Sequence, residues 1–578
     1  VIPSQTFEML SRLLPLYAAL LLGCGSCFAA SAVDWWESAT LYQIYPRSFM
    51  DSDGDGVGDL NGITTRLAYL KEIGVTATWL SPIFASPMAD FGYDISNFTK
   101  IDPLFGTLTD FDALIAKAHA LGIKIILDFV PNHSSDECEW FQKSIRREDG
   151  YDDFYIWEDG KIDAETGERV PPSNWVSVFS GPMWTWNEQR QQYYLHQFLP
   201  KQPDLNFSNP MVREHMLEVL KFWVDRGADG FRIDAVPHIG EKRFANGTYP
   251  DEPLSGWSDD PNSYNYHDHI YTKDQPLTLE VVYEWREFLD EYKRQHERDT
   301  IVLIAEAYSS VEVLSDYINN GTHSGTQMPM NFNLMSLNGY STAKNVEDSV
   351  KGWMDNIWEK HQSANWVVGN HDNDRLATRM GQHKVDLMTM LVHALPGTSV
   401  TYYGEEIGMS NVATECTAIS CEDRDPERTP MQWDTTDHAG FTTGPTSWLP
   451  ISPNYKRFNV ATERGVARST LQIFKGMTQL KQTNAFKAFK EEGGFAFGAV
   501  SEQVFQVVRT AFLEEEYRIL INMGNKVEYV HDLANKTMEY VLLSRHSPHS
   551  FGDKVDLSQR IYLMPYEAVV LRGSAGSG

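Results

Sequence analysis

Apolar residues in this chain fall into two alternating kinds of segment. Short apolar runs occur at residues 41–45, 76–80, 124–130, 230–234, 301–305, 330–333, 365–369 and 399–403. Between them apolar positions recur at helical spacing, for example over 63–73, 111–121, 211–226, 279–296 and 376–395. Strand alternating with helix eight times predicts an α/β fold, a (β/α)8 TIM barrel, whose chemistry sits at the C-terminal ends of its strands. The third connection breaks the rhythm. Residues 134–205 are too many for a simple loop and carry their own aromatics (Trp140, Trp157, Trp175, Trp184, Trp186), which predicts an inserted subdomain over the barrel mouth. Beyond Thr483 the pattern turns to short alternating runs, as at 505–508, 519–522 and 569–571, which predicts an all-β C-terminal domain. The expected divisions are barrel 33–133, insert 134–205, barrel 206–488, β domain 489–573 and tail 574–578.

Four of the apolar runs end in titratable residues. Along Asp229-Gly230-Phe231-Arg232-Ile233-Asp234, side chains alternate, so Arg232 and Asp234 share one face while Phe231 and Ile233 pack on the other. A carboxylate beside a guanidinium stays ionised, as a nucleophilic aspartate requires. The run at 301–305 stops at Glu306, the run at 365–369 leads into Asn370-His371-Asp372, and the run at 124–130 leads into Asn132-His133. Packing gives core strands no reason to end repeatedly in acids, and clustered carboxylates repel one another. These positions are candidates for chemistry.

In this order the four segments resemble the four signature regions of the α-amylase superfamily, glycoside hydrolase family 13. Gln202-Pro203-Asp204-Leu205-Asn206 resembles the mark of its α-glucosidase and oligo-1,6-glucosidase branch. Trp35-Trp36-Glu37, the segments 44–49 and 92–95, and Arg428-Thr429-Pro430-Met431-Gln432-Trp433-Asp434 are similar to the same branch. The likeness runs from about Asp34 to Arg572 and is nearest to insect maltases. It implies a retaining mechanism, in which one carboxylate attacks the anomeric carbon and another, roughly 5 Å away, protonates the leaving oxygen. By resemblance Asp234 is the nucleophile, Glu306 the acid/base and Asp372 the transition-state stabiliser. Asp94, His133 and His371 match residues that bind the terminal glucose, Arg424 one that forms an ion pair in the pocket, and Phe179 and Phe198 aromatics that line it.

The implied function is exo-acting hydrolysis of small α-glucosides: terminal α-1,4-linked glucose from maltose, short malto-oligosaccharides and sucrose. Ala235, after the nucleophile, implies a preference for α-1,4 over α-1,6 linkages, since valine there favours isomaltose in related enzymes. Two other readings stand beside it. One is a sucrose isomerase or transglucosidase on the same site; the other is a glycosidase-like cell-surface receptor, although the related transporter heavy chains have a membrane span and broken catalytic motifs.

The segment from Asp51 to Asp59 places Asp51, Asp53, Asp55, Val57 and Asp59 at alternate positions around glycines, an oxygen-rich loop suited to Ca²⁺. It departs from an EF-hand at its twelfth position, Gly62, where a bidentate Glu belongs. The resemblance instead implies one structural Ca²⁺ in the first strand-to-helix loop.

Composition narrows the partners. A formal charge of −30 over 578 residues excludes nucleic acid, which demands a basic face. Arg12, the apolar stretch 13–22 and Ala29-Ala30-Ser31-Ala32 read as a secretory signal peptide, 1–32, with translation starting at Met9. Secretion suits the cysteines: Cys416 and Cys421 can close a small ring as a disulfide, while Cys138 is expected unpaired and packed. Asn97, Asn206, Asn246, Asn320 and Asn535 stand in glycan-acceptor sequons; Asn132 also does, but inside the His133 motif, where a glycan would block the pocket. A natural chain continuing beyond Gly578 into an apolar tail would be tethered to the outer cell surface by a glycosylphosphatidylinositol anchor. Nothing in the sequence reports the oligomeric state.

Overall fold

The structure is a computed structural model that describes residues 33–359, 362–414, 423–487, 494–511 and 514–574. The predicted signal segment, Cys416 and Cys421 lie outside the described residues.

Eight strands form one parallel sheet: β1 Thr40–Ile44, β2 Ala77–Leu80, β3 Lys124–Phe129, β4 Gly230–Ile233, β5 Val302–Ala305, β6 Met328–Pro329, β7 Asn365–Val367 and β8 Thr398–Tyr402. β1 pairs with β2 in register Leu41↔Ala77 and with β8 in register Thr40↔Ser399, so the first and last strands adjoin. Both strand faces are buried, which is why these segments read as apolar runs. One face fills the barrel with Leu41, Trp79, Ile126, Val302, Ile304, Val367 and Val400. The alternate residues, among them Tyr42, Ile125, Leu127 and Phe231, belong to the layer that also contains the surrounding helices.

The helices begin where capping chemistry says they should. The helix Pro210–Asp225 has Asn209 accepting from the Met211 amide and Pro210 in its first turn, where a missing N–H costs nothing. It buries Met216, Leu220 and Trp223 on one face; Trp223 stacks on Phe84 at 4.7 Å and donates to the Phe98 carbonyl.

Two sequence expectations are corrected. The sixth strand is not 330–333 but Met328–Pro329, two residues only, and the chain then turns away. The seam between β6 and β7 is closed by side chains: the Asn331 amide donates to Asn365 Oδ1 at 2.9 Å, and Asn365 Nδ2 donates to the Pro329 carbonyl at 2.7 Å. The expected helix 376–395 is two, Leu376–Met380 and Val385–Ala394, because Gly381 adopts φ +87° between them.

Between β3 and β4 the insert carries a small antiparallel sheet built from Trp157–Glu158, Gln192–Leu195 and Trp184–Asn187. The C-terminal part is a six-stranded sheet, β9 Phe495–Ala499, β10 Val504–Arg509, β11 Glu516–Asn522, β12 Thr537–Leu543, β13 Lys554–Asp556 and β14 Ala568–Gly573, in the order β9-β10-β11-β14-β12-β13. Cys138 is buried and free, as expected.

Candidate active site

A cavity of about 400 Å³ opens at the C-terminal ends of the barrel strands, between them and the insert. Asp234, Glu306 and Asp372 all line it, with His133, His371, Arg424, Phe179 and Phe198. The exposure of the wall varies. Tyr93, Asp90, His133 and His371 are buried, whereas Phe179 and Tyr308 are 39% and 51% exposed, which marks a closed end and an open one.

The acids are arranged around one cation. Arg232, 1% exposed, gives Nη1 to Asp234 at 2.5 Å and to Asp128 at 2.8 Å, and Nη2 to Glu306 at 2.8 Å. Its guanidinium lies 4.9 Å over the Trp79 ring, an arrangement that suits arginine and not lysine. Glu306 is held at its other oxygen by the Ala235 amide, 3.0 Å away. Ala235 sits in the left-handed region at φ +48°, two residues beyond the strand end at Ile233.

One guanidinium cannot keep three buried carboxylates ionised. The expectation that Arg232 simply holds Asp234 charged is therefore corrected. Burial lifts Asp234, Asp128 adds to the lift, and Arg232 works against both. Burial likewise pushes Glu306 up to about 7, helped by the charges of Asp234 and Asp372 and opposed by Arg232. Asp234 and Glu306 are thus both raised, and each also feels the negative charge of Asp372. Burial would raise Asp372 too, but the Arg428 and Arg424 guanidiniums on its carboxylate outweigh it and hold it below the usual carboxylate range.

Asp372 Oδ1 receives Arg424 Nη1 and Arg428 Nη2, each at 2.9 Å. Arg424 reaches on to Asp90 at 3.1 Å and lies 5.5 Å over the Phe179 ring. Asp90, not Asp94, is the acid on the cavity wall. Asp94 is fully buried and spends its oxygens on Ser86 Oγ and the amides of Ala89 and Asp90, so it shapes the loop that presents Asp90. His371 Nε2 lies 2.5 Å from the Tyr93 hydroxyl, which also meets Asp128 Oδ2 at 3.1 Å, so the closed end is wired back to the guanidinium. Burial keeps both pocket histidines neutral, pushing His133 down to about 4.

The comparisons agree with this geometry. Residues 43–491 match the family described as α-amylase, catalytic domain. The chain belongs to the α-amylase family. Among its relatives is maltase A2 of Drosophila melanogaster, 69% identical over 555 residues that cover 96% of this chain and 98% of that protein. Among solved structures, an α-glucosyl transfer enzyme is 33% identical with a TM-score of 0.78, covering 93% of this chain and all but 1% of its own (99%). The trehalulose synthase of Pseudomonas mesoacidophila is 27% identical with a TM-score of 0.79, over 93% of this chain and 99% of that one.

Outside the cavity, this α-amylase-family chain gathers Asp51, Asp53 and Asp59 so that one oxygen from each lies within 4.8 Å of the others. Asp55 does not join them. Gly54 and Gly56, both at positive φ, turn the chain so that Asp55 is exposed and takes the Val57 amide at 2.8 Å. The twelfth position has no room for a side chain, since a Cβ on Gly62 would sit 1.9 Å from the Met50 carbonyl oxygen. Asp59 also caps the helix Leu60–Glu72, accepting from the Gly62 amide.

Sequence reasoning missed Asp90, Tyr93, Arg428 and His238 as parts of the site. Tyr93 and Arg428 stand inside segments already marked by motif, whereas Asp90 lies just before one and His238 just after another; only the folded loop shows which side chains face the cavity.

Proposed function

We propose that the protein is a retaining, exo-acting α-glucosidase that releases glucose from maltose and short malto-oligosaccharides, and cleaves sucrose to free hexoses. The observation that carries this is a pair of carboxyl groups, Asp234 and Glu306, fixed on the two terminal nitrogens of one guanidinium, above a closed end built from Asp90, Arg424, His371 and His133. Carboxyl groups held side by side on one guanidinium suit double displacement, which needs them roughly 5 Å apart. Asp234 attacks the anomeric carbon, and Glu306 protonates the leaving oxygen and later deprotonates the water. Asp372, held ionised, faces the developing positive charge. The ion pair of Asp90 with Arg424 closes the pocket behind the terminal sugar, taking the place expected of Asp94. The name of the maltase relative and its 69% identity support the same reading.

Asp51, Asp53 and Asp59 have the hard-oxygen chemistry to hold one structural Ca²⁺, which would screen their mutual repulsion away from the reacting atoms. The N-terminal segment directs the protein out of the cell, where Asn97, Asn246, Asn320 and Asn535 are exposed to glycosylation; Asn132 is buried. Proton NMR of the first product from maltose tests the mechanism. Initial α-glucose is expected, and initial β-glucose would overturn the nucleophile assignment. A new disaccharide from sucrose, in place of glucose and fructose, would favour isomerisation.

A further inference from the structure

His238, on the cavity wall four residues after Asp234, has a buried glutamine behind it. Gln197 is fully buried in the insert. Its Nε2 lies 2.9 Å from Asp204 Oδ2, 2.7 Å from the His238 carbonyl oxygen and 3.0 Å from Glu241 Oε1. Three acceptors on that side fix which end of the amide is nitrogen. The carboxamide oxygen must then be the atom 2.9 Å from His238 Nδ1, and it can only accept. His238 therefore carries its proton on Nδ1 and leaves Nε2 as an acceptor.

Three further observations bear on this arrangement. Burial keeps His238 neutral, pushing it down to about 3, so the acceptor survives at every working pH. Phe198 packs edge-on against the His238 ring at 5.4 Å and also touches His133, which puts His238 on the open side of the glucose end. Asp204 is itself tied to the Gln197 amide at 3.1 Å and to Asn132 Nδ2 at 3.2 Å. Gln197 and Asp204 together thus join the insert, the strand-three end and the loop after the nucleophile. Burial lifts the carboxyls of Asp204 and Glu241 alike.

We propose that Gln197 is a positioning residue for the leaving-group side of the pocket: it locks His238 in the Nδ1–H tautomer and presents Nε2 to a hydroxyl of the departing sugar. The proposal rests on the α-glucosidase reading. It predicts a split between substrates. A departing sugar offers hydroxyl donors to His238, while a p-nitrophenyl group offers none.

Gln197→Met keeps the volume and removes the amide. Its kcat/KM for maltose should fall about tenfold, the worth of one substrate hydrogen bond, while that for p-nitrophenyl α-glucoside falls less than threefold. His238→Ala should show the same split without disturbing the carboxylates, and it serves if Gln197→Met does not fold. The double variant should be no worse on maltose than the worse single one. Equal losses on both substrates, or additive losses in the double variant, would overturn the proposal. Wild-type protein that cleaves neither substrate would instead overturn the α-glucosidase reading.

Discussion

Replacing Asp128 by asparagine tests whether one guanidinium is shared among three acids. Asp128 is 2% exposed and accepts from Arg232, Trp79 Nε1 and the Tyr93 hydroxyl. It and Asp234 accept from the same arginine nitrogen, at 2.8 and 2.5 Å, so their oxygens lie at most about 5 Å apart. Two like charges at that separation repel by about 3 kcal/mol at an effective permittivity of about 20, equal to about two pH units. Asn keeps the shape and removes the charge, so Asp234 becomes easier to ionise. The acid limb of kcat/KM for p-nitrophenyl α-glucoside should move down by about two pH units. The alkaline limb should move less, because Glu306 sits on the other nitrogen and its main charged neighbours are Arg232, Asp234 and Asp372. Stability should drop by only about 1 kcal/mol, since the Trp79 donor is left facing an amide. An acid limb that stays in place, or moves upward, would refute the shared-guanidinium account.

Glu306→Gln should remove the alkaline limb near pH 7 and cripple maltose cleavage, yet leave a burst of p-nitrophenol from the aryl glucoside, whose leaving group needs little protonation; stopped-flow absorbance reads it. Chelating Ca²⁺ should lower the melting temperature by several degrees and leave the rate at permissive temperature nearly unchanged, because the loop is clasped to Phe441 and Trp448 and not to the cavity; calorimetry with and without chelator, plus metal analysis, checks it. Ala235→Val puts a β-branched residue at φ +48°, costing about 1–2 kcal/mol of stability, and should lower the ratio of maltose to isomaltose kcat/KM.

What the sequence made legible follows from how local the signal was. Barrel strands buried on both faces are continuous apolar runs, and an acid that ends such a run in a barrel must stand at the mouth; Asp234, Glu306 and Asp372 were readable for that reason. β6 was displaced because two residues carry no periodicity and its neighbour is held by asparagine side chains. Asp94 and Asp90 share one loop and one charge, and only the capture of Asp94 by two backbone amides decides which of them faces sugar. The left-handed turn at Ala235 gave no signal at all, since alanine is not a residue that announces positive φ.

The pairing of β1 with β8 sets a timetable for synthesis. Residues 40–44 leave the ribosome with one edge satisfied by β2, and the partner for the other edge begins at Thr398. At about 5–20 residues per second, that partner follows roughly 20–70 s later. Throughout that interval the first strand presents a row of unpaired amides and carbonyls, flat and apolar, to whatever nascent chain is nearby. Yield should then depend on how well this edge is shielded while the chain grows, so slowing translation late in the barrel would harm production of a protein whose finished form is untouched.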